Sequence, residues 1–322
     1  FIQSIIMSVA LIVVLIFGVE NAGGIGAVIH NASELPGYLS MTLSYDVNTG
    51  NAAPYSALTI VSTAAWGLGY FGMPHILLRF MAIEDEKKLK LSRRVATIWV
   101  VISLFVAVFI GVIGYTMSKV GALEMLTGSN SETIIVKISA LLSQHGVIFA
   151  LLAGVILAGI LASTMSTSDS QLLAASSAVS SDILGAFRKD SSNKNGSMAA
   201  ARITLLVISV VAAFIARNPD SSVFAIVSFA WAGFGAAFGP VVLFSLFWKR
   251  TNKWGALAGM VCGGSMVFIW KYLIRPLGGI WNIYELLPAF LIACAAIVIV
   301  SLLTPKPSKE IEEEFDRVAQ MK

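Results

Sequence analysis

Runs of apolar residues long enough to cross a bilayer recur along this chain and decide most of what it can fold into. Candidate spans cover 1–19, 56–83, 95–118, 147–185, 199–216, 222–247, 254–276 and 284–304. A membrane-crossing helix needs about 20 mostly apolar residues. Lipid offers the backbone no hydrogen-bond partner, so each span must satisfy its own N–H and C=O groups, as a helix does. Strands would alternate apolar and polar residues, whereas these blocks are apolar all round. Hydrophobic residues make up 57% of the chain and charged residues 12%, against roughly a quarter charged in soluble domains. That balance excludes a soluble enzyme, a disordered chain and a nucleic-acid binder. The expected fold class is an all-α polytopic membrane protein. One transmembrane domain, 1–304, holds about eight helices, and a short charged tail, 305–322, follows it. In the tail, Ile311, Phe315 and Val318 fall at helical spacing and predict a surface helix.

The connecting segments sort by charge. Lys87, Lys88, Lys90, Arg93 and Arg94 lie in 84–94, and Arg188, Lys189 and Lys194 in 186–198. Lys249, Arg250 and Lys253 fall at 248–253, and Lys306, Lys309, Arg317 and Lys322 in the tail. The opposite side holds only Lys119, Lys137, Arg217 and Arg275. Basic residues mark the cytoplasmic loops, so the C-terminus is expected in the cytoplasm, and Phe1 with it. The chain opens directly into an apolar run, without methionine or a basic leader, and is expected to lack its N-terminal part. Cys262 and Cys294 both sit in apolar blocks, where no disulfide framework or thiolate metal site is expected.

Two spans are not plain lipid anchors. Span 56–83 carries Trp66-Gly67-Leu68-Gly69-Tyr70-Phe71-Gly72-Met73-Pro74-His75. Relative to alanine, glycine costs about 1 kcal/mol and proline about 3 kcal/mol inside a helix. The tract therefore predicts a broken or unwound helix, and such breaks are tolerated only where backbone is buried in protein or lines a cavity. In carriers, freed backbone groups of this kind form the solute site. The G-x-G-x-x-G spacing of Gly67, Gly69 and Gly72 is not a dinucleotide fingerprint, which needs a preceding strand. Close helix packing explains the glycines alone, but not Pro74 or the aromatic pair.

Span 147–185 exceeds one crossing and has a polar waist from Ser163 to Gln171, with Asp169 within it. Hydroxyl and carbonyl oxygens suit a hard, small cation such as Na⁺. A carboxylate at the centre of a membrane helix costs about 2.5–3.5 kcal/mol and is a functional candidate by default. Ser and Thr can equally bond back to their own helix. In span 222–247, the run from Trp231 to Pro240 fits either a kinked gate or tight packing of small residues. No paired carboxylates, nucleophile–base set or metal cluster supports an enzyme.

The stretch from Ala65-Trp66-Gly67-Leu68-Gly69-Tyr70-Phe71-Gly72-Met73-Pro74-His75 to Ala82 closely resembles the sodium:solute symporter family, in its proline-carrying bacterial branch. Ser228-Phe229-Ala230-Trp231 through Phe244 agrees, as does Gly255-Ala256-Leu257-Ala258-Gly259-Met260. The resemblance implies a leucine-transporter-like inverted-repeat fold, here represented by the fifth to tenth core helices and two peripheral ones. It places Trp66, Tyr70 and Pro74 at solute-binding positions, with Gly69 in the same unwound tract. Ser166 and Thr167 fall on hydroxyl ligands of the main sodium site, and Ser163 on a carbonyl ligand. Asp169 and Ser170 fall where some members bind a second cation.

The implied activity is sodium-coupled import of L-proline by alternating access in a bacterial inner membrane. Na⁺ would be the coupling ion, with no nucleic-acid or protein partner. An aromatic such as Trp66 or Tyr70 could cover the proline ring and donate to its carboxylate. A second reading keeps the family and changes the cargo, to pantothenate or another small acid. A third makes the domain a non-transporting membrane sensor, which the short tail disfavours.

Overall fold

A computed structural model of the chain describes residues 2–183, 194–218 and 222–320. Long helices dominate, as the apolar blocks require. They are α1 (Ile2–Asn21), α2 (Ile25–Ser33), α3 (Ala57–Ala64), α4 (Pro74–Met81), α5 (Leu89–Lys119) and α6 (Ile134–Leu142). Then come α7 (Val147–Ser177), α8 (Lys194–Ile215), α9 (Val223–Phe247), α10 (Lys253–Ile269), α11 (Leu286–Leu303) and α12 (Lys309–Gln320). One small hairpin, β1 (Leu43–Tyr45) with β2 (Ala52–Pro54), is the sheet among the described residues. The basic residues Arg188 and Lys189 lie outside the described residues, as do the last positions expected in span 147–185.

Seven described helices are long and apolar enough to cross a membrane: Ser4–Asn21, Leu89–Lys119, Val147–Ser180, Met198–Ile215, Val223–Phe247, Lys253–Leu277 and Leu286–Leu303. The eighth expected span, 56–83, is not one helix. Its glycines and proline divide it into α3, a 3-10 segment Ala65–Gly72, an extended Met73 (φ −82°, ψ 113°) and α4. Pro74 opens α4 at its first position, where its missing N–H costs nothing. The long polar-waisted span is continuous: α7 runs 31 residues, about 46 Å at 1.5 Å per residue, and passes into a π-helical turn, Ala178–Ile183.

The chain forms two compact units. The first comprises Phe1–Ala53 and Ile83–Val223. Its core joins Ala10, Val14 and Phe17 of α1 to Ile110, Ile113 and Met117 of α5, with Ile138 and Leu142 of α6 and Ile156 of α7. Small residues let these helices close up. A Cβ added at Gly18 would lie 2.8 Å from Ile113, and one at Gly114 would lie 2.6 Å from Ile134.

The second unit comprises Pro54–Ala82 and Phe224–Lys322. Its core gathers Met73, Trp231, Ala236, Val267, Leu286 and Phe290. In α10, Gly255, Gly259 and Gly263 recur every fourth residue and share a face. Cβ atoms there would meet Ser301 Oγ at 1.9 Å, Ile297 Cγ1 at 2.4 Å and the Ala236 carbonyl at 2.2 Å. Lipid supplies no hydrophobic drive between helices, so such close packing takes its place. Asn252 caps α10 by accepting from Gly255 N–H at 2.9 Å, and its amide donates to Thr304 Oγ1 and the Pro305 carbonyl, each at 2.7 Å. The tail helix α12 leaves Ile311 and Val318 exposed, and Asp316 pairs with Lys249 at 2.6 Å.

Candidate functional site

The expected cation ligands lie together in the first unit. Ser163, Ser166 and Thr167 form one wall of a cavity of about 220 Å³. Ser4, Met7 and Leu11 of α1, with Trp99 and Ser103 of α5, complete it. Ser163, Ser166 and Thr167 sit three and four residues apart, which puts them on one helix face. Thr167 Oγ1 donates to the Ser163 carbonyl at 3.2 Å. That back-bond uses the hydroxyl hydrogen and leaves oxygen lone pairs free to face a cation. Trp99 Nε1 donates to Ser8 Oγ at 3.2 Å and fixes the α5 side of the wall. The polar side chains of the lining are all hydroxyls, which fit a hard cation better than a thiophilic metal, and Met7, Leu11 and Trp99 complete the wall. Asp169 and Ser170 are exposed and do not line this cavity. Ser170 Oγ donates instead to the Ser166 carbonyl at 3.0 Å.

The expected solute residues lie in the second unit, around the 3-10 segment. Trp66 is half-buried and nearly parallel to three rings: Phe224 at 5.5 Å, Trp231 at 5.6 Å and Tyr284 at 5.9 Å. Its backbone carbonyl accepts the Trp231 indole N–H at 3.0 Å. Tyr70 meets the Trp231 ring edge-on at 4.8 Å and stays 51% exposed, so part of its ring is free. Neighbouring aromatics thus fix the orientation of the Trp66 ring. Gly69 is buried against Trp231, and a Cβ there would lie 2.0 Å from the indole nitrogen. A Cβ at Gly72 would lie 2.3 Å from the Phe234 carbonyl. Both glycines admit α9, so the packing reading of the tract and the broken-helix reading hold together. Pro74 is half-buried at the start of α4.

Sequence reasoning gave Tyr284 no role, and it left the run from Trp231 open between a kinked gate and tight packing; the structure packs Trp231 against the 3-10 segment. A lone tryptophan in a run of small residues on α9 was the available signal for Trp231. Tyr284 carried none beyond its place at the start of the last span.

The family model described as "Sodium:solute symporter family" matches residues 1–263. The chain is 37% identical over 309 residues to the osmoregulated proline transporter OpuE of Bacillus subtilis, covering 96% of this chain and 59% of that protein. It is 41% identical over 262 residues to the sodium/proline symporter of Haemophilus influenzae, covering 81% and 51%. It is 37% identical over 318 residues to the high-affinity proline transporter PutP of Bacillus subtilis, covering 98% and 62%. The chain thus spans about half to three-fifths of the length of these relatives.

Proposed function

The chain belongs to the sodium:solute symporter family, and on that premise we propose that it serves sodium-coupled import of L-proline by alternating access across a bacterial inner membrane. The observation that carries the reading is the oxygen-lined cavity built by Ser163, Ser166 and Thr167 against α1 and α5. In this reading those three residues hold Na⁺, and Asp169 with Ser170 offers a second cation position outside that cavity. Trp66, Tyr70 and Pro74 contact the solute, with Gly69 in the same unwound tract. The zwitterionic solute presents an apolar ring to the aromatic surface and its carboxylate to polar hydrogens. Coupling follows if Na⁺ and proline each favour a state that the other also favours. Inward sodium movement supplies about 2.3 kcal/mol per charge per 100 mV. The basic residues of 84–94, 248–253 and the tail support a cytoplasmic position for those segments and the C-terminus.

The test is uptake of radiolabelled L-proline into proteoliposomes holding the full-length protein, with an inward Na⁺ gradient. Uptake that collapses when K⁺ replaces Na⁺ supports the reading. Uptake indifferent to Na⁺ overturns it. Stronger competition by pantothenate than by unlabelled proline would reassign the cargo within the family.

A further inference from the structure

In the segment joining α10 to α11, Tyr284 reaches the aromatic wall around Trp66. Tyr284 stacks on Trp66, with ring centroids 5.9 Å apart and planes inclined by 15°. Its hydroxyl donates to the Ser228 carbonyl on α9 at 2.6 Å. Its backbone N–H donates to Ser62 Oγ on α3 at 3.1 Å. One side chain and its own amide therefore bind the helix before the 3-10 segment, the first aromatic of that segment and the helix that carries Trp231.

The next residue anchors this strut. Glu285 is 1% exposed and accepts from Arg275 Nη1 at 2.8 Å, with Lys271 Nζ at 4.0 Å. Arg275 Nε also donates to Asn282 Oδ1 at 3.0 Å, which closes the loop on itself. Lys271 lies 3.8 Å over the Phe229 ring, next to Ser228 in the chain. All these contacts fall within the second unit. Tyr284 and Glu285 lie beyond residue 263, where the match to the family model ends.

We propose that Tyr284 is a positioning residue for solute binding: it holds Trp66 flat against Trp231, and so sets the wall on which Tyr70 presents its free face. The inference rests on the solute reading of Trp66 and Tyr70 given above. Tyr284 touches no solute itself and acts through Trp66 and Ser228. Removing it leaves the hydroxyl-lined cation cavity of the first unit intact, so the effect falls on the solute and not on the ion.

The experiment compares the full-length parent with Tyr284→Phe and Tyr284→Leu in proteoliposomes. It measures proline and Na⁺ half-saturation and the maximal rate per inserted carrier. Tyr284→Leu loses both the stack and the hydroxyl bond, and is expected to raise the proline concentration for half-maximal uptake about tenfold. Tyr284→Phe keeps the ring, and is expected to raise it about threefold. Na⁺ half-saturation and maximal rate are expected to move by less than about twofold, because a positioning residue acts through solute binding alone. Unchanged proline half-saturation in both variants, parallel rises for proline and Na⁺, or a loss confined to maximal rate would overturn the proposal. If Tyr284→Leu fails to insert, Tyr284→Phe decides by the same outcomes. A parent without sodium-dependent proline uptake sinks the functional reading and this inference with it. A competent parent with indifferent variants sinks the inference alone.

Discussion

The indole nitrogen of Trp231 donates to the backbone carbonyl of Trp66 at 3.0 Å. A side chain from one helix thus satisfies a main-chain group in the segment where the neighbouring span gives up regular helical geometry. Buried carbonyls need partners, and a 3-10 segment places its own hydrogen bonds less well than an α-helix does. The bond ties α9 to the 3-10 segment at the point where Gly69 has no side chain to intervene.

Trp231→Phe keeps most of the aromatic area and deletes this donor. The Trp66 carbonyl is then left without that bond, at a cost of about 1–3 kcal/mol. Thermal unfolding in detergent should show a lower midpoint, and proline half-saturation should rise. An unchanged midpoint would mean that water or another donor replaces the indole at no cost.

Gly69 and Gly67 give a paired test of the glycine tract. A Cβ at Gly69 would sit 2.0 Å from Trp231 Nε1, whereas at Gly67 nothing lies within 4 Å. Overpacking a tight site costs roughly 1–3 kcal/mol and forces the indole away from Trp66. Gly69→Ala should abolish uptake or insertion, while Gly67→Ala should stay within about twofold of the parent, as exposed substitutions usually do. Equal tolerance at both positions would show that the two segments do not pack as described.

Much of this was legible in the sequence, and the reason is length. Uninterrupted apolar blocks have one solution in lipid, so α1, α5, α7, α8, α9, α10 and α11 follow from hydropathy. The break at Met73 was legible because Gly67, Gly69, Gly72 and Pro74 each oppose a helix locally. The surroundings of Trp66 were not legible, because Phe224 and Tyr284 stack on it from residues far along the chain. No local pattern encodes such a meeting. The same holds for the wall that Ser4 and Trp99 add opposite Ser166.

Ser166→Ala and Thr167→Ala each remove one hydroxyl oxygen from the cavity wall. Losing one ligand of a hard cation should raise the Na⁺ concentration for half-maximal uptake about tenfold or more, by analogy with hydrogen bonds to charged groups, worth about 1.5–3 kcal/mol. Proline half-saturation at saturating Na⁺ should change little. A sodium titration of uptake decides this, and an unaltered sodium curve in both variants would remove them from the ion site.

Acid should loosen the loops of the first unit. A hydrogen bond from Lys119 holds the Glu34 carboxyl below its ordinary range, and one from Lys137 does the same for Glu124. Backbone N–H of Asn48 and the Thr49 hydroxyl lower that of Asp46 in the hairpin turn. A carboxyl with a depressed folded value binds fewer protons when folded, so its contribution is complete above the unfolded value of about 4 and is lost as pH falls through the folded one. Hydrogen exchange in residues 34–51, corrected for intrinsic rates, should be flat between about pH 6 and 8 and rise below about pH 4. Loss of protection near neutral pH would point to a different titrating group.

The pair of Glu285 and Arg275 gives the sharpest stability test. Glu285 is 1% exposed, and Arg275 Nη1 bonds its carboxylate at 2.8 Å. Breaking a buried pair by removing one partner costs about 3–5 kcal/mol, because the other charge stays buried alone. Lys271 at 4.0 Å offsets part of that loss, which places Arg275→Ala toward the low end. Glu285→Gln should cost less, since the amide oxygen still accepts from Arg275, and the guanidinium left without its counter-charge is 40% exposed to solvent. Replacing both, as Arg275→Met with Glu285→Leu, should recover much of the midpoint, because an apolar pair has no desolvation penalty to overcome. Thermal unfolding of the three variants in detergent gives the order. If the double variant were worse than Arg275→Ala, the pair would be holding the 278–285 loop through its geometry, and charge burial would not be the controlling term.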